Sequence, residues 1–253
     1  MAQVVAVSAL SHPGLLRDRN EDSLVVGPWT LCATVTESPQ TLFFPLATPL
    51  VVAVADGLGG HPGGEVASAL VARLLATGGP ALHNEEAVRE TLNSCNRAVY
   101  EAAGGDRGGD LEAMGTTVAG LVVLRDELLV FNVGDSQVFA FDEEDGLRQV
   151  SVDDSPPPEP GRRTTSVVTQ CLGGSTGFRP VDPHVTAVPL VPGERYLLCT
   201  DGLTDPVPPD VLDAVMREHD DGRAAFELWR TAIEAGGPDN ITVAVVRVKE
   251  EQE

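Results

Sequence analysis

Apolar and polar positions follow two periods along this chain. Val51-Val-Ala-Val-Ala55 is an uninterrupted apolar run that stops at Asp56-Gly57-Leu-Gly-Gly-His61-Pro-Gly-Gly. A β-branched run bounded by a glycine-rich turn predicts a buried strand. The stretch from Glu65 predicts a helix with Val66, Leu70 and Leu74 along one face. Residues 3–10, 23–26, 116–124, 127–133, 137–141, 185–189 and 194–200 read as strands, as do 29–35 and the run from Ile241. Residues 84–103 carry Val88, Leu92, Cys95 and Val99 at helical spacing. Asn84 is placed to cap that helix, and Glu85 and Glu86 suit its positive end. Residues 210–217 and 223–235 read as two more helices, the second with a stripe of Phe226, Trp229 and Ile233 expected in the core.

Breaks in the pattern set the organisation. Residues 36–49 hold three prolines and read as an inserted loop or hairpin. Residues 104–110 form a glycine-rich loop, Asp145-Gly146 a hairpin turn, and 153–163 a short, Pro-rich, exposed flap-like loop. No repeat and no interdomain linker is visible, so residues 1–253 are expected to form a single domain. Strand-rich stretches enclose two helices and two more helices follow. That order fits antiparallel sheets with helices outside, an α+β fold, better than alternating βαβ units.

The polar residues add one pattern of their own. Asp56, Asp135 and Asp201 each end a predicted strand, while Asp239 and the pair Glu21-Asp22 each precede one. Acidic residues outnumber basic ones by 38 to 17, for a net charge of −21. Such a chain is repelled by nucleic acid and anionic membranes. No stretch reaches transmembrane length and no signal segment opens the chain, so a cytoplasmic protein is expected. Cys32, Cys95, Cys171 and Cys199 lack CxxC spacing and are expected as reduced thiols.

Clustered carboxylates with few histidines suit Mg or Mn rather than zinc. Arg17, close to Glu21, has the planar fork that grips two phosphate oxygens. Other phosphate chemistries fail on spacing. Gly59 and Gly64 are followed by Glu65-Val66 rather than Lys-Ser/Thr, Pro62 breaks a GxGxxG reading, and neither Asp56 nor Asp201 has a second Asp two residues on.

Six stretches taken together carry a resemblance. They are Arg17-x-x-Asn20-Glu21-Asp22, Ala55-Asp56-Gly57-Leu-Gly-Gly-His61, Met114-Gly-Thr-Thr117, Val133-Gly134-Asp135-Ser136, Cys199-Thr200-Asp201-Gly202 and Asp239-Asn240-Ile-Thr. In this order they resemble the bacterial branch of the metal-dependent type 2C (PPM) serine/threonine protein phosphatases. The resemblance implies an αββα sandwich of two central antiparallel sheets flanked by helices. It implies two divalent metals, Mn or Mg, bridged by Asp56, with a weaker third ion on Asp135 and Asp201. Gly57 would give its carbonyl to one of the pair, and Glu21, Asp201 and Asp239 would hold the other. Arg17 would bind the substrate phosphate, with Asp56 and Asp201 completing the catalytic set. Asp22 would orient the ligands, and His61 is expected as a turn or supporting residue. The implied reaction is in-line attack by a water shared between the metals on phosphoserine or phosphothreonine in protein targets of a serine/threonine kinase. A monomer is expected. A phosphoprotein-binding or metal-sensing module of weak catalysis on the same fold is the alternative. Animal relatives carry a histidine where this chain has Leu58, so the proton for the leaving group must come from elsewhere.

Overall fold

The computed structural model describes residues 3–58, 63–105, 113–159, 164–165, 167–191 and 193–250. His61, most of the 104–110 loop and residues 160–163 of the Pro-rich loop lie outside them. In chain order the elements are β1 (Gln3–His12), β2 (Ser23–Val26), β3 (Trp29–Cys32), β4 (Gln40–Pro45), β5 (Leu50–Ala55), β6 (Gly57–Leu58), α1 (Gly63–Gly78) and α2 (Glu85–Ala102). Then come β7 (Gly115–Thr116), β8 (Val118–Val123), β9 (Glu127–Val133), β10 (Gln137–Asp142), β11 (Gly146–Gln149), β12 (Leu172–Gly173) and β13 (His184–Pro189). The last are β14 (Arg195–Cys199), α3 (Asp201–Thr204), α4 (Pro209–Glu218), α5 (Asp221–Glu234) and β15 (Ile241–Glu250).

Two six-stranded antiparallel sheets stack face to face. One runs β11-β10-β14-β15-β1-β4 and the other β13-β9-β8-β5-β2-β3. Successive side chains of a strand point to opposite faces, and here both faces are covered. Val52 and Val54 of β5 enter the core between the sheets, while Val51 and Ala53 enter a second core beneath α1 and α2. Ala244 and Val246 of β15 likewise face the other sheet, and Val243 and Val245 pack under α4 and α5. The result is the expected four-layer αββα sandwich. Double coverage explains why these strands read as continuous apolar runs instead of alternating ones.

Several expectations are corrected. Residues 36–49 are more than a loop or hairpin: they contain β4, which joins the open edge of β1 in the register Val4↔Pro45 to Ala9↔Gln40. Proline is tolerated there because an edge strand has one unpaired side. The strand expected over 29–35 stops at Cys32, where Ala33 takes a positive φ of 50°. On α1 the buried face is Gly64, Ala67, Ser68, Val71, Ala72 and Leu75, and Val66 is exposed. Leu70 and Leu74 only flank the core. The helix starts so close to Gly57 that Gly64 in its first turn has no room for a side chain. On α5 the core positions are Ala224, Ala225, Leu228 and Ala232, with Phe226, Trp229 and Ile233 half-buried at its rim. The small sheet β12-β7-β6 and the one-turn helix α3 were too short to leave a periodic signal.

Leu121 is fully buried between the sheets. Leu121→Ala is expected to lower stability by about 2–5 kcal/mol, read as a lower urea midpoint at unchanged m-value in chelator-treated protein.

Candidate active site

The five acid-bearing stretches meet at one end of the sandwich. Each is fixed by backbone geometry more than by its neighbours in sequence. Asp56 leaves β5 with its amide donating to Thr117 Oγ1 at 3.1 Å. Its carbonyl accepts from Thr117 N at 2.9 Å and from Thr116 Oγ1 at 2.7 Å. The β6–β7 pairing Gly57↔Thr116 continues this hold.

Gly57 and Gly64 touch through their backbones. A Cβ on Gly64 would lie 2.4 Å from Glu21 Oε2 and 2.7 Å from the Gly57 carbonyl oxygen. A Cβ on Gly57 would lie 2.4 Å from the Gly64 carbonyl and 2.7 Å from that of Glu21. Glycine at both positions is what sets the Glu21 carboxylate beside the Gly57 carbonyl at the start of α1. The main chain of Glu21 is held as well, its amide by Asn240 Oδ1 at 2.7 Å and its carbonyl by the Ser68 hydroxyl.

Asp22 lies behind this row, 1% exposed. Its Oδ2 accepts from Thr200 Oγ1 at 2.9 Å and Thr242 Oγ1 at 2.7 Å, so it joins β2 to β14 and β15. Its Oδ1 is buried without a hydrogen-bond partner among the described residues. Asp201 opens α3, where a Cβ on Gly202 would fall within 1.8 Å of the Asn240 carbonyl oxygen. Asp239 precedes β15 and its Oδ2 accepts from Arg17 Nη2 at 2.6 Å. Asp135 sits in the β9–β10 turn, next to Gly134 with φ 106°.

Arg17, Glu21, Asp56, Gly57, Asp135, Asp201 and Asp239 together line a cleft of about 490 Å³. Leu58 is also on its wall, and no histidine is among the lining residues described. Asp145, which shares the Asp-Gly-Leu string of Asp56 and Asp201, is an exposed residue of the β10–β11 turn with its amide on Asp142 Oδ1 at 2.7 Å. Thr116, Thr117, Thr200, Asn240 and Thr242 lay inside motifs read from the sequence, yet their roles were not assigned there. The hydroxyl of Thr242 within the otherwise apolar stretch 241–246 was the usable signal, because a buried hydroxyl needs a partner. Asn240 is the busiest: besides Glu21 it bonds the carbonyls of Pro13 at 3.1 Å and Arg19 at 2.8 Å, and so fixes the loop that carries Arg17.

The carboxylates strain against one another. Burial, followed by Asp201, Asp22, Asp239 and Asp135, holds Asp56 well above the usual carboxylate range. Burial and then Asp135, Asp205, Asp239 and Asp22 push Asp201 up to about 8. Burial lifts Asp22 to about 7 against the two threonine hydroxyls, and Asp135 to about 6. Glu21 is raised by burial, with Arg17 opposing. Among the described residues no three acidic, histidine or cysteine side chains close around one point, and Asp239 engages Arg17. The donor set still fits hard divalent cations. It is all oxygen, the orphaned Asp22 Oδ1 is buried directly behind it, and its repulsion is of the kind a cation relieves.

A carboxylate-lined centre for hard cations, set at one end of a four-layer αββα sandwich, defines the class. The sequence profile described as Protein phosphatase 2C matches residues 45–236, and the chain belongs to that family. The serine/threonine protein phosphatase PstP of Mycobacterium tuberculosis is 32% identical over 98% of this chain. The chain spans about half the length of that relative, 46%. The serine/threonine phosphatase stp of Listeria monocytogenes is 31% identical, over 78% of this chain and 83% of its own. A crystal structure of the catalytic domain of PstP in complex with two manganese ions superposes with a TM-score of 0.73 at 29% identity, covering 98% of this chain and all of that one.

The raised carboxylates give stability a defined pH dependence. A carboxyl whose folded pKa exceeds its unfolded value binds protons more tightly when folded, so stability falls as pH rises through that window. Without metal the protein is expected to lose melting temperature between about pH 5 and pH 8. Bound metal displaces those protons, so the gain from manganese should be larger at pH 8 than at pH 5.5. It should reach about 2.7 kcal/mol at a hundred times the dissociation constant. Thermal melts with manganese and with chelator at both pH values check this, and equal gains would contradict it.

Proposed function

We propose that this chain is a metal-dependent phosphoserine/phosphothreonine protein phosphatase that uses two manganese or magnesium ions. The observation that carries the reading is the convergence of Glu21, Asp56, Asp201 and Asp239 with the Gly57 carbonyl on one cleft that Arg17 overhangs. The relatives PstP and stp, both serine/threonine phosphatases, support it.

When bound, two divalent cations supply Lewis acidity that lowers the pKa of a water and offsets charge at phosphorus. Asp56, central and repelled by the other acids, would serve both ions. The resemblance put Glu21 with Asp201 and Asp239, but Glu21 Oε2 and the Gly57 carbonyl lie together at Gly64. This supports giving Glu21 and Gly57 one ion with Asp56, and Asp201 and Asp239 the other. Asp135 and Asp201 would hold a weaker third ion. Asp22 orients this set from behind through the Thr200 and Thr242 hydroxyls. Arg17 is 51% exposed at the side chain and turned toward Asp239. It binds the phosphate of the incoming residue through its planar fork. Leu58 offers no proton to the leaving group, so that proton comes from the solvent side of the cleft.

Phosphorylated proteins made by a serine/threonine kinase are the partners. No helix among the described residues is long and apolar enough to cross a membrane. A cytoplasmic monomer is part of the same proposal.

Hydrolysis of a phosphothreonine peptide should be observed with manganese or magnesium and abolished by chelator. Asp56→Asn should remove turnover, while Asp145→Ala should keep it. Manganese binding without any turnover would overturn the phosphatase reading in favour of a binding or sensing module.

Arg17→Ala should raise KM for the peptide by about 10- to 150-fold, the worth of a charge-assisted contact of roughly 1.5–3 kcal/mol. Steady-state kinetics at saturating manganese measure it, and an unchanged KM would remove Arg17 from the phosphate site.

A further inference from the structure

Asp135 has no long element to hold it. It is fixed by its two neighbours in sequence. On one side Ser136 Oγ lies 2.7 Å from Thr117 Oγ1, the same hydroxyl that accepts the Asp56 amide. On the other side Gly134 is gripped twice by one residue. Its amide donates to Asp154 Oδ2 at 2.9 Å, and its carbonyl accepts from the Asp154 amide at 2.9 Å. Gly134 has φ 106°, and a Cβ there would lie 2.7 Å from Thr117. The turn is thus wedged between Thr117 and Asp154.

Asp154 also stands where the Pro-rich loop departs, and it holds the strand of chain that returns. Its carbonyl accepts from the Thr169 amide at 2.7 Å, and its Oδ2 accepts from Gln170 Nε2 at 3.0 Å. Gln170 is itself locked, with Oε1 accepting from the Asp182 amide at 2.6 Å and Nε2 also donating to the Asp182 carbonyl at 3.0 Å. The second carboxylate oxygen of Asp154 lies 2.9 Å from His184 Nε2 on β13. With its side chain only 12% exposed, this carboxylate is committed on both oxygens. Carboxylate acceptors make the stronger class of hydrogen bond to backbone amides, and removing one strands the donor.

We propose that Asp154 is a positioning residue for Asp135: it clamps the turn that presents Asp135 to the two ends of the Pro-rich loop, with His184 as its brace. Without Asp154 the turn keeps the Thr117 side of its support and the weaker contact from Asn132 Nδ2 to the Gly134 carbonyl at 3.3 Å, and the Gly134 amide loses its acceptor. The kinetic half of this inference rests on the phosphatase reading. The metal-binding half does not.

The test is a double-mutant cycle on the full chain. Asp154→Ala should lower kcat on the phosphothreonine peptide by roughly 2- to 150-fold, the range of couplings within one hydrogen-bond network. KM should hold, because Arg17 is untouched. In an Asp135→Ala background the same substitution should cost nothing further. Asp154→Asn, which keeps an acceptor for the Gly134 amide, should restore most of kcat. Manganese isotherms of Asp154→Ala should shift in the same direction as those of Asp135→Ala. An equal loss of kcat in both backgrounds, or no loss in either, overturns the proposal. Should Asp154→Ala fail to fold by circular dichroism, His184→Gln and Gln170→Ala each remove one brace and leave Gly134 held. Their smaller losses of kcat must likewise vanish without Asp135, and losses that persist overturn the proposal. A wild-type protein with no turnover sinks the phosphatase reading alone. The isotherms then decide, and Asp154→Ala matching wild type where Asp135→Ala departs from it overturns the role of Asp154.

Discussion

The controlling constraint is electrostatic repulsion among carboxylates that the fold does not let separate. Asp22, Asp56, Asp135 and Asp201 are all pushed above their ordinary ionisation range, first by burial and then by neighbouring carboxylates, which for Asp56 and Asp201 include other members of this group. Among the described residues on the cleft wall, Arg17 pairs with Asp239 and Arg19 with Glu65, and neither pairs with any of these four. Such an arrangement persists only if the scaffold over-determines it, because packing must supply what local electrostatics opposes.

The scaffold does so by anchoring each acid to main chain. The β15–β1 pairing over Gln3↔Glu250 to His12↔Ile241 brings Asp239 beside the loop that carries Arg17 and Glu21. Asn240 then ties that loop down through Glu21, Pro13 and Arg19. Thr117 serves Asp56 and, through Ser136, the Asp135 turn. The threonine and asparagine side chains carry no net charge, so they hold the acids in place without neutralising them. The centre is therefore tethered and still short of positive charge, the state in which a hard cation has the most to offer.

Much of this was legible in the sequence because the relevant signals are local. Runs such as 51–55 and 241–248 are apolar at every position except Thr242 and Arg247, and both faces of those strands are covered. An acid at the end of such a run has nowhere to go but the open end of the sheet. The turn reading of Asp145 also held, since two glutamates before it marked an exposed hairpin. What the sequence hid is non-local. The glycine start of α1 follows from the backbone contact between Gly57 and Gly64, which periodicity does not register. The strand β4 was masked by its prolines, which an edge tolerates. Asp154 reads as one more acid in a Pro-rich loop. Its importance depends on Gly134, Gln170 and His184, which approach it only in the folded chain.

The central position of β15 in its sheet has a consequence for how the centre comes into being. This strand lies between β1 and β14, and it brings with it Asp239, Asn240 and Thr242. Arg17 and Asp239 are 222 positions apart in sequence yet form one ion pair. Until that long loop is closed, Asp22 lacks one of its two hydroxyl partners and the Arg17 loop lacks its tether. Contacts of such high sequence separation form late, after their closure entropy has been met. A chain in which β15 has not yet paired would hold Asp56 and Asp135 but neither Asp239 nor the hydroxyl of Thr242, so the complete set of acids exists only once the two ends of the sequence have met.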